Sequence, residues 1–466
     1  MTTRNERDAL GNIDIPIDVY YGIYTQRAKS NFSITSHHVH IDLITAVTLI
    51  KKAAAMVNKD LNLLPESIAD AIIASCNEIL DGCHCDAFIT HPLQGGAGTS
   101  TNMNVNEVVA NLSIEKLGGK KGDYHLVHPI NHVNCSQSTN DVYPTAIRIA
   151  AIYKIRTLAE VLSHLQESLQ EKENDFSEIL KLGRTQLSDA LPITLGQEFG
   201  AYAKAISRDR WRVYKVEERL REINIGGTAI GTGLNAPIEY IYRMTDVLQR
   251  LTGLGLARSD LLVDATQNMD VFVEVSGLLK ACAVNLIKIA NDLRLLGSGP
   301  KGGFGEIQIQ ARQAGSSIMP GKVNPVICEM MVQVGYKIIG NDTSITLSAF
   351  SGQLELNSFS PLIAECLLES LDLLINSVSI FDQDCIQSLK ANKEKCLDTL
   401  NKSSAMSAVL INYIGYDQAG AIAKEALQKN VSIESLLLEK KIFTQLEMNK
   451  IFNVYQVTKP GIPGRS

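Results

Sequence analysis

Between Met269 and Leu296 the chain passes through Val275, Leu278, Leu279, Cys282, Val284, Leu286, Ile287, Ile289, Leu293 and Leu296 and reads as a helix apolar nearly all round. A helix that is apolar all round needs neighbours on every side. That requirement puts it inside a bundle, and a bundle at the centre of an oligomer supplies the cover. Two further stretches carry a helical period. From Pro144, Ile147, Ala151, Ile155, Leu158, Leu162, Leu165 and Leu169 recur at three-four spacing. Pro144 is expected in the first turn, with Asp141 as a cap. A second run reads the same way from Pro192, again with proline at its start. At ~1.5 Å per residue these helices reach ~40–45 Å.

Strand signals are sparse, and only Ile13–Gly22 suggests a short extended segment. The tail Lys459–Ser466 is rich in proline and glycine and is expected to fray. No internal repeat or low-complexity segment is present. The predicted fold class is all-α, in three parts: a mixed, mainly helical region over 1–138, a central long-helix bundle over 139–393, and a small helical region over 394–466.

Composition removes several functions. Net charge is −6 and the sequence pI is about 5.9, so no basic field for nucleic acid or anionic lipid is implied. The polar start MTTRNERDALGNIDIP has no apolar core of a secretory signal. No uncharged apolar run reaches the ~18 residues of a membrane helix. Nine cysteines without framework spacing fit reduced thiols in a cytoplasm. CHC at Cys83–Cys85 and SHHVH at Ser36–His40 resemble metal tracts, but no second ligand cluster follows at zinc spacing. Both read as loops.

What interrupts the helices carries the chemistry. Gly95–Glu107 (GGAGTSTNMNVNE), Asn134–Thr145 (NCSQSTNDVYPT), Gly183–Pro192 (GRTQLSDALP) and Gln313–Pro325 (QAGSSIMPGKVNP) are four polar stretches. They offer Thr99, Ser100, Thr101, Ser138, Thr139, Asn140, Thr185, Gln186, Ser316, Ser317, Lys322 and Asn324: short neutral donors and one cation. Glycine-rich turns and helix N-termini add backbone N–H groups. Any one such loop is ordinarily a set of caps and turns. Four together suit a small, multiply anionic ligand.

Gly315–Pro325 (GSSIMPGKVNP) resembles the signature loop of the aspartase/fumarase superfamily. The other three stretches are similar to its remaining active-site segments, in the same order, as are Asn291–Pro300 (NDLRLLGSGP) and Ile339–Asp342 (IGND). The likeness extends from Tyr20–Ala28 (YYGIYTQRA) to Asn412–Ala419 (NYIGYDQA). It implies a three-domain all-α fold, a homotetramer whose active sites are shared between subunits, and elimination of a group β to a carboxylate to form fumarate. It also implies residue roles. Ser316 resembles the general base. Thr99, Ser138, Thr139 and Ser317 would hold the carboxylate that receives the carbanion charge, and Lys322 and Asn324 the other one.

Fumarases read GRTHLQDA, GSGTQSNMN and QSSND where this chain has GRTQLSDA, GAGTSTNMN and QSTND. Gln186 cannot ionise but can hydrogen-bond an amino group. These positions favour the ammonia-lyase branch, which converts L-aspartate to fumarate and ammonia, with Asn140, Thr185 and Gln186 at the amino group. A class II fumarase acting on malate is the neighbouring alternative, and a non-catalytic protein on the same scaffold a further one. Tyr24, Ser188 and Gly321 depart from residues common in the branch. No cofactor is expected to be required. A divalent cation such as Mg²⁺ enters only as an activator, with metal ligands unknown.

Overall fold

The computed structural model describes residues 2–465. Most of the chain is helical. Its only sheets among the described residues are four two-stranded ribbons. Five helices are long: Thr139–Asp175, Leu195–Leu220, Asp270–Leu296, Val326–Phe350 and Ser360–Phe381. The first has 37 residues and is therefore ~56 Å long. Asp270–Leu296 buries Phe272, Val275, Leu279, Cys282, Leu286, Ile289 and Leu293, but it is not apolar all round as expected: Asp270, Glu274 and Lys288 are exposed along one face, and Val284 stays 51% exposed in the single chain.

The backbone corrects both proline readings. Pro144 lies inside its helix, which starts at Thr139. Proline has no N–H to give to the carbonyl four residues back. That carbonyl, on Asn140, accepts the Asn224 Nδ2–H instead at 2.9 Å, so the missing bond is replaced from outside. Pro192 belongs to no helix. It sits in the strand Ser188–Thr194, paired antiparallel with Leu180–Thr185. The polar N-terminus likewise forms a ribbon, Thr3–Asp8 against Gly11–Pro16, so the expected extended segment gains a partner strand from residues read only as polar.

The chain divides into two compact units, and each long helix contributes residues to both. The first comprises residues up to Ala159, Arg212–Ala281 and Tyr336–Ile375. There Ile41–Asp60 packs on Glu66–Leu80 and Ile238–Thr252 and buries Leu43, Ile44, Val47 and Ile50. Its start is not simply solvated. His40 Nδ1 accepts the Asp42 N–H, so Nε2 carries the proton and donates to Asp372 at 2.7 Å.

Thr99–Lys116 is the unusual element. Every residue from Thr101 to Ile114 is buried, although five of them are Asn or Glu. Such side chains are tolerated inside only when hydrogen-bonded. Asn104 therefore holds the backbone of Ala87 and Ile89, and Asn111 that of Tyr20 and Gly122. Of the stretch read as a polar loop, Gly95–Glu107, only the glycine turn is loop.

The second unit comprises Glu160–Trp211, Cys282–Gly335 and the residues from Asn376 onward. Its C-terminal core gathers Leu400, Met406, Leu410, Ile422, Ile433, Leu436, Leu437 and Met448 around Leu182 of the hairpin.

Candidate active site

Thr99, Ser138, Thr139 and Asn140 fall in the first unit. The turn before Thr99 is left-handed at Gly96, Ala97 and Gly98, with φ of +86°, +55° and +90°. Thr99 opens a helix and donates its hydroxyl to Gly96 O at 2.7 Å. A Cβ on Gly98 would lie 2.4 Å from the Tyr143 ring. The bare glycine thus lets Tyr143, from the first turns of the Thr139–Asp175 helix, seat against the Thr99 turn. Two helix N-termini are brought together this way. Both helix starts carry partial positive charge, which suits an anion.

Ser138 precedes that second helix. Its Oγ accepts the Asn140 N–H at 3.2 Å, and its own N–H donates to Asp141 Oδ1 at 3.0 Å. The other carboxylate oxygen, Oδ2, accepts the N–H groups of Gly226 and Thr228. Asp141 is thus not the cap that a helix starting at Pro144 would have: it is the third residue of the helix, and its carboxylate reaches back to the Ser138 N–H and ties the helix to a remote loop. Burial pushes its carboxyl up to about 7, while those backbone N–H groups pull the other way. Asn140 donates to Ala229 O at 2.7 Å.

Two contributors were missed in the sequence. One is this loop, GGTAIGTGLN at Gly226–Asn235, whose four glycines were the available signal. The other is Lys51. It is fully buried and donates to Asn134 Oδ1 at 2.8 Å and Gln137 Oε1 at 2.9 Å, fixing the segment that leads into Ser138. Burial lowers its ammonium to about 7. Within an amphipathic helix its letter carries no such signal.

Thr185, Gln186, Ser316, Ser317, Lys322 and Asn324 fall in the second unit. Thr185 pairs with Ser188, and the two residues between them, Gln186 and Leu187, both have positive φ, +54° and +62°. This is the backbone twist a two-residue hairpin requires, adopted without glycine. Left-handed non-glycine residues cost energy and collect at functional sites. The strand below is pinned: the buried carboxylate of Glu306 meets Lys181 Nζ and Arg184 Nη1, each at 2.8 Å. The Arg184 guanidinium also lies 4.1 Å from the Phe304 ring centroid.

The Gln313–Pro325 loop closes on itself. Gly315 N–H donates to Lys322 O at 2.9 Å, and Asn324 Nδ2 to Gly315 O at 2.7 Å. A Cβ on Gly315 would meet Lys322 O at 2.4 Å. Inside this turn the Ser316 hydroxyl oxygen accepts two backbone N–H groups, from Ile318 at 3.2 Å and Met319 at 3.0 Å. Ser317 and Lys322 are exposed. Among the described residues the Lys322 ammonium has no carboxylate partner.

Tyr24 lies in the helix Ile23–Asn31. Its N–H donates to Glu107, whose carboxylate also takes the Gly22 and Thr25 N–H groups and the Thr25 hydroxyl. Burial raises the Tyr24 phenol above its usual range.

Family comparison agrees with the all-α fold. Residues 11–340 match the family described as Lyase, and residues 408–459 match Fumarase C C-terminus. The chain belongs to the aspartase/fumarase superfamily. Its curated relatives include aspartate ammonia-lyases. That of Bacillus subtilis is 46% identical over 99% of this chain and 97% of its own length. Those of Helicobacter pylori and Escherichia coli are 44% and 42% identical, covering 98% of this chain and 98% and 96% of their own. Among solved structures, a Brucella melitensis protein described as fumarate lyase:delta crystallin, bound to cobalt, superposes with a TM-score of 0.95 at 44% identity, covering 98% of this chain and all of that one (100%). A class II fumarase from Schistosoma mansoni gives 0.91 at 31% identity, covering 98% of each chain.

Proposed function

We propose that the chain is an aspartate ammonia-lyase, a carbon–nitrogen lyase that reversibly converts L-aspartate to fumarate and ammonia. Full-length relatives of that activity support the reading. The observation that carries the chemistry is the pair of N–H groups on Ser316 Oγ. A serine hydroxyl is a poor base, and two convergent donors stabilise its alkoxide. Ser and Thr hydroxyls often take such bonds in ordinary turns. Here the turn is the family's signature loop and is built around the serine.

The alkoxide of Ser316 takes a Cβ proton from L-aspartate. The electron pair moves into the adjacent carboxylate, which becomes a dianion held by Thr99, Ser138, Thr139 and Ser317. Lys322 and Asn324 bind the other carboxylate through a cation and an amide. The pair then returns to form the double bond. The Cα–N bond breaks toward nitrogen, and the substrate ammonium leaves as neutral ammonia. No acid need protonate it, which is why uncharged Asn140, Thr185 and Gln186 suffice at that end. The Gln313–Pro325 loop acts as a lid whose closure excludes water.

The working assembly is a homotetramer, with each site composed of segments from different subunits and the Asp270–Leu296 helix covered at its centre. The enzyme works in the cytoplasm, and no described helix is long and apolar enough to cross a membrane. Turnover requires no organic cofactor. A divalent cation such as Mg²⁺ enters this reading only as an activator. The three parts 1–138, 139–393 and 394–466 are the domains of this reading.

The test is fumarate absorbance with L-aspartate and L-malate supplied separately. A rise with aspartate alone is expected. A rise with malate alone would make the enzyme a fumarase and would remove Gln186 from its role.

A further inference from the structure

The thiols of Cys328 and Cys385 lie 3.6 Å apart, and both residues are fully buried. Cys328 is in the first turn of Val326–Phe350, just beyond the end of the Gln313–Pro325 loop. Cys385 belongs to the wide helical turn Asp382–Ile386. The residue before the loop reaches the same turn: Arg312 Nη2 meets Asp384 Oδ1 at 2.7 Å, and its Nε–H donates to Asp384 O at 3.1 Å. Both stems of the loop are therefore anchored on one five-residue turn, the first by an ion pair and the second by two thiols in contact.

We propose that Cys328 and Cys385 are a modification site: a peroxide oxidises them to a disulfide that locks the second stem and slows lid movement. A disulfide needs its sulfurs ~2.05 Å apart. The side chains therefore close a gap of about 1.5 Å, a shift that rotation about their bonds shares between them. One cysteine, as thiolate, attacks the peroxide and becomes a sulfenic acid. The second thiol attacks that sulfur and expels water. The balance is two thiols and one hydrogen peroxide giving one disulfide and two waters.

The pair is also arranged to stay reduced when oxidant is scarce. Its mutual hydrogen bond and burial hold the Cys385 thiol well above the usual thiol range. A thiolate, the reactive form, then arises only as the stem opens locally. A buried cysteine pair is otherwise a small hydrophobic filler. What separates this pair from filler is its place at the joint of a loop whose other stem reaches the same turn.

The effect on turnover rests on the lid role proposed above, and the cross-link itself does not. The experiment uses the full-length enzyme. Exposed thiols such as Cys83 and Cys85 are alkylated first under native conditions. The enzyme is then treated with hydrogen peroxide, mapped by non-reducing peptide mass spectrometry and assayed. The expected result is a Cys328–Cys385 peptide lighter by two hydrogens, with a roughly tenfold fall in kcat that dithiothreitol reverses. Cys385→Ala, and separately Cys328→Ala, should keep full turnover after peroxide. Absence of the cross-linked peptide overturns the site. A cross-link that leaves kcat unchanged overturns the lock. An enzyme inactive on aspartate even when reduced would instead sink the proposed function, and the peptide map would still decide the cross-link.

Discussion

The ring of Tyr143 rests on the backbone of Gly98, so close that a Cβ there would sit 2.4 Å from ring carbon Cδ2. This contact sets the spacing between the turn that carries Thr99 and the helix start that carries Ser138, Thr139 and Asn140. Gly98 also holds φ at +90°. Gly98→Ala therefore meets two penalties, left-handed strain and overpacking, together about 2–4 kcal/mol. A lower denaturant midpoint should accompany reduced fumarate formation. A variant with wild-type stability would show that the ring moves aside freely.

Ser316→Ala removes the only oxygen that the Ile318 and Met319 N–H groups address within the loop. A positioned base contributes roughly 10²–10⁴-fold, and kcat should fall by that range. The fold should not change, since the side chain is partly exposed and its removal leaves the Gly315–Lys322 and Gly315–Asn324 bonds in place. Near-normal kcat would take Ser316 out of the base role.

Lys322→Ala should raise KM for aspartate far more than it lowers stability. The ammonium is exposed and, among the described residues, pairs with no carboxylate, so nothing in the fold depends on it. Uniform loss of ground-state binding appears in KM. An unchanged KM would mean that the substrate carboxylate is held elsewhere.

Lys51→Met should change how stability varies with pH. In the folded chain burial lowers the ammonium to about 7, whereas an exposed lysine ordinarily titrates at 10.5. Between those values the unfolded chain holds a proton that the folded chain does not. Wild-type stability therefore rises with pH across that window, and below it the folded state bears the full cost of a buried charge. The methionine variant should lack this rise. A stability difference between the two proteins that stayed constant from pH 7 to pH 10 would contradict the assignment.

The helical architecture was legible because three-four periodicity is local, and the Gln313–Pro325 loop because its residues act on one another within a few positions. Ser316 and the N–H groups of Ile318 and Met319 are such a case. The Gln186–Leu187 hairpin was not legible. No Asn-Gly or Gly-Gly pair marks its turn, and its left-handed backbone is imposed by the pairing of Leu180–Thr185 with Ser188–Thr194 and by Glu306 beneath. The N-terminal proline readings failed for a related reason. A missing N–H at Pro144 would disfavour the interior of an isolated helix, yet Asn224, some eighty positions later, satisfies the carbonyl it leaves free.

The sequence by itself determined that this chain makes long helices, which loops interrupt them, and which donors those loops carry. These are consequences of backbone propensity, apolar period and short-range hydrogen bonding. Only the tertiary structure decided that Asp141 binds Gly226 and Thr228, that Lys51 holds Asn134 and Gln137, that Tyr143 covers Gly98, and that Cys328 touches Cys385. Each joins residues far apart in the chain. A buried polar or close-packed group is stable only when its partner is present, and folding alone brings those partners within reach.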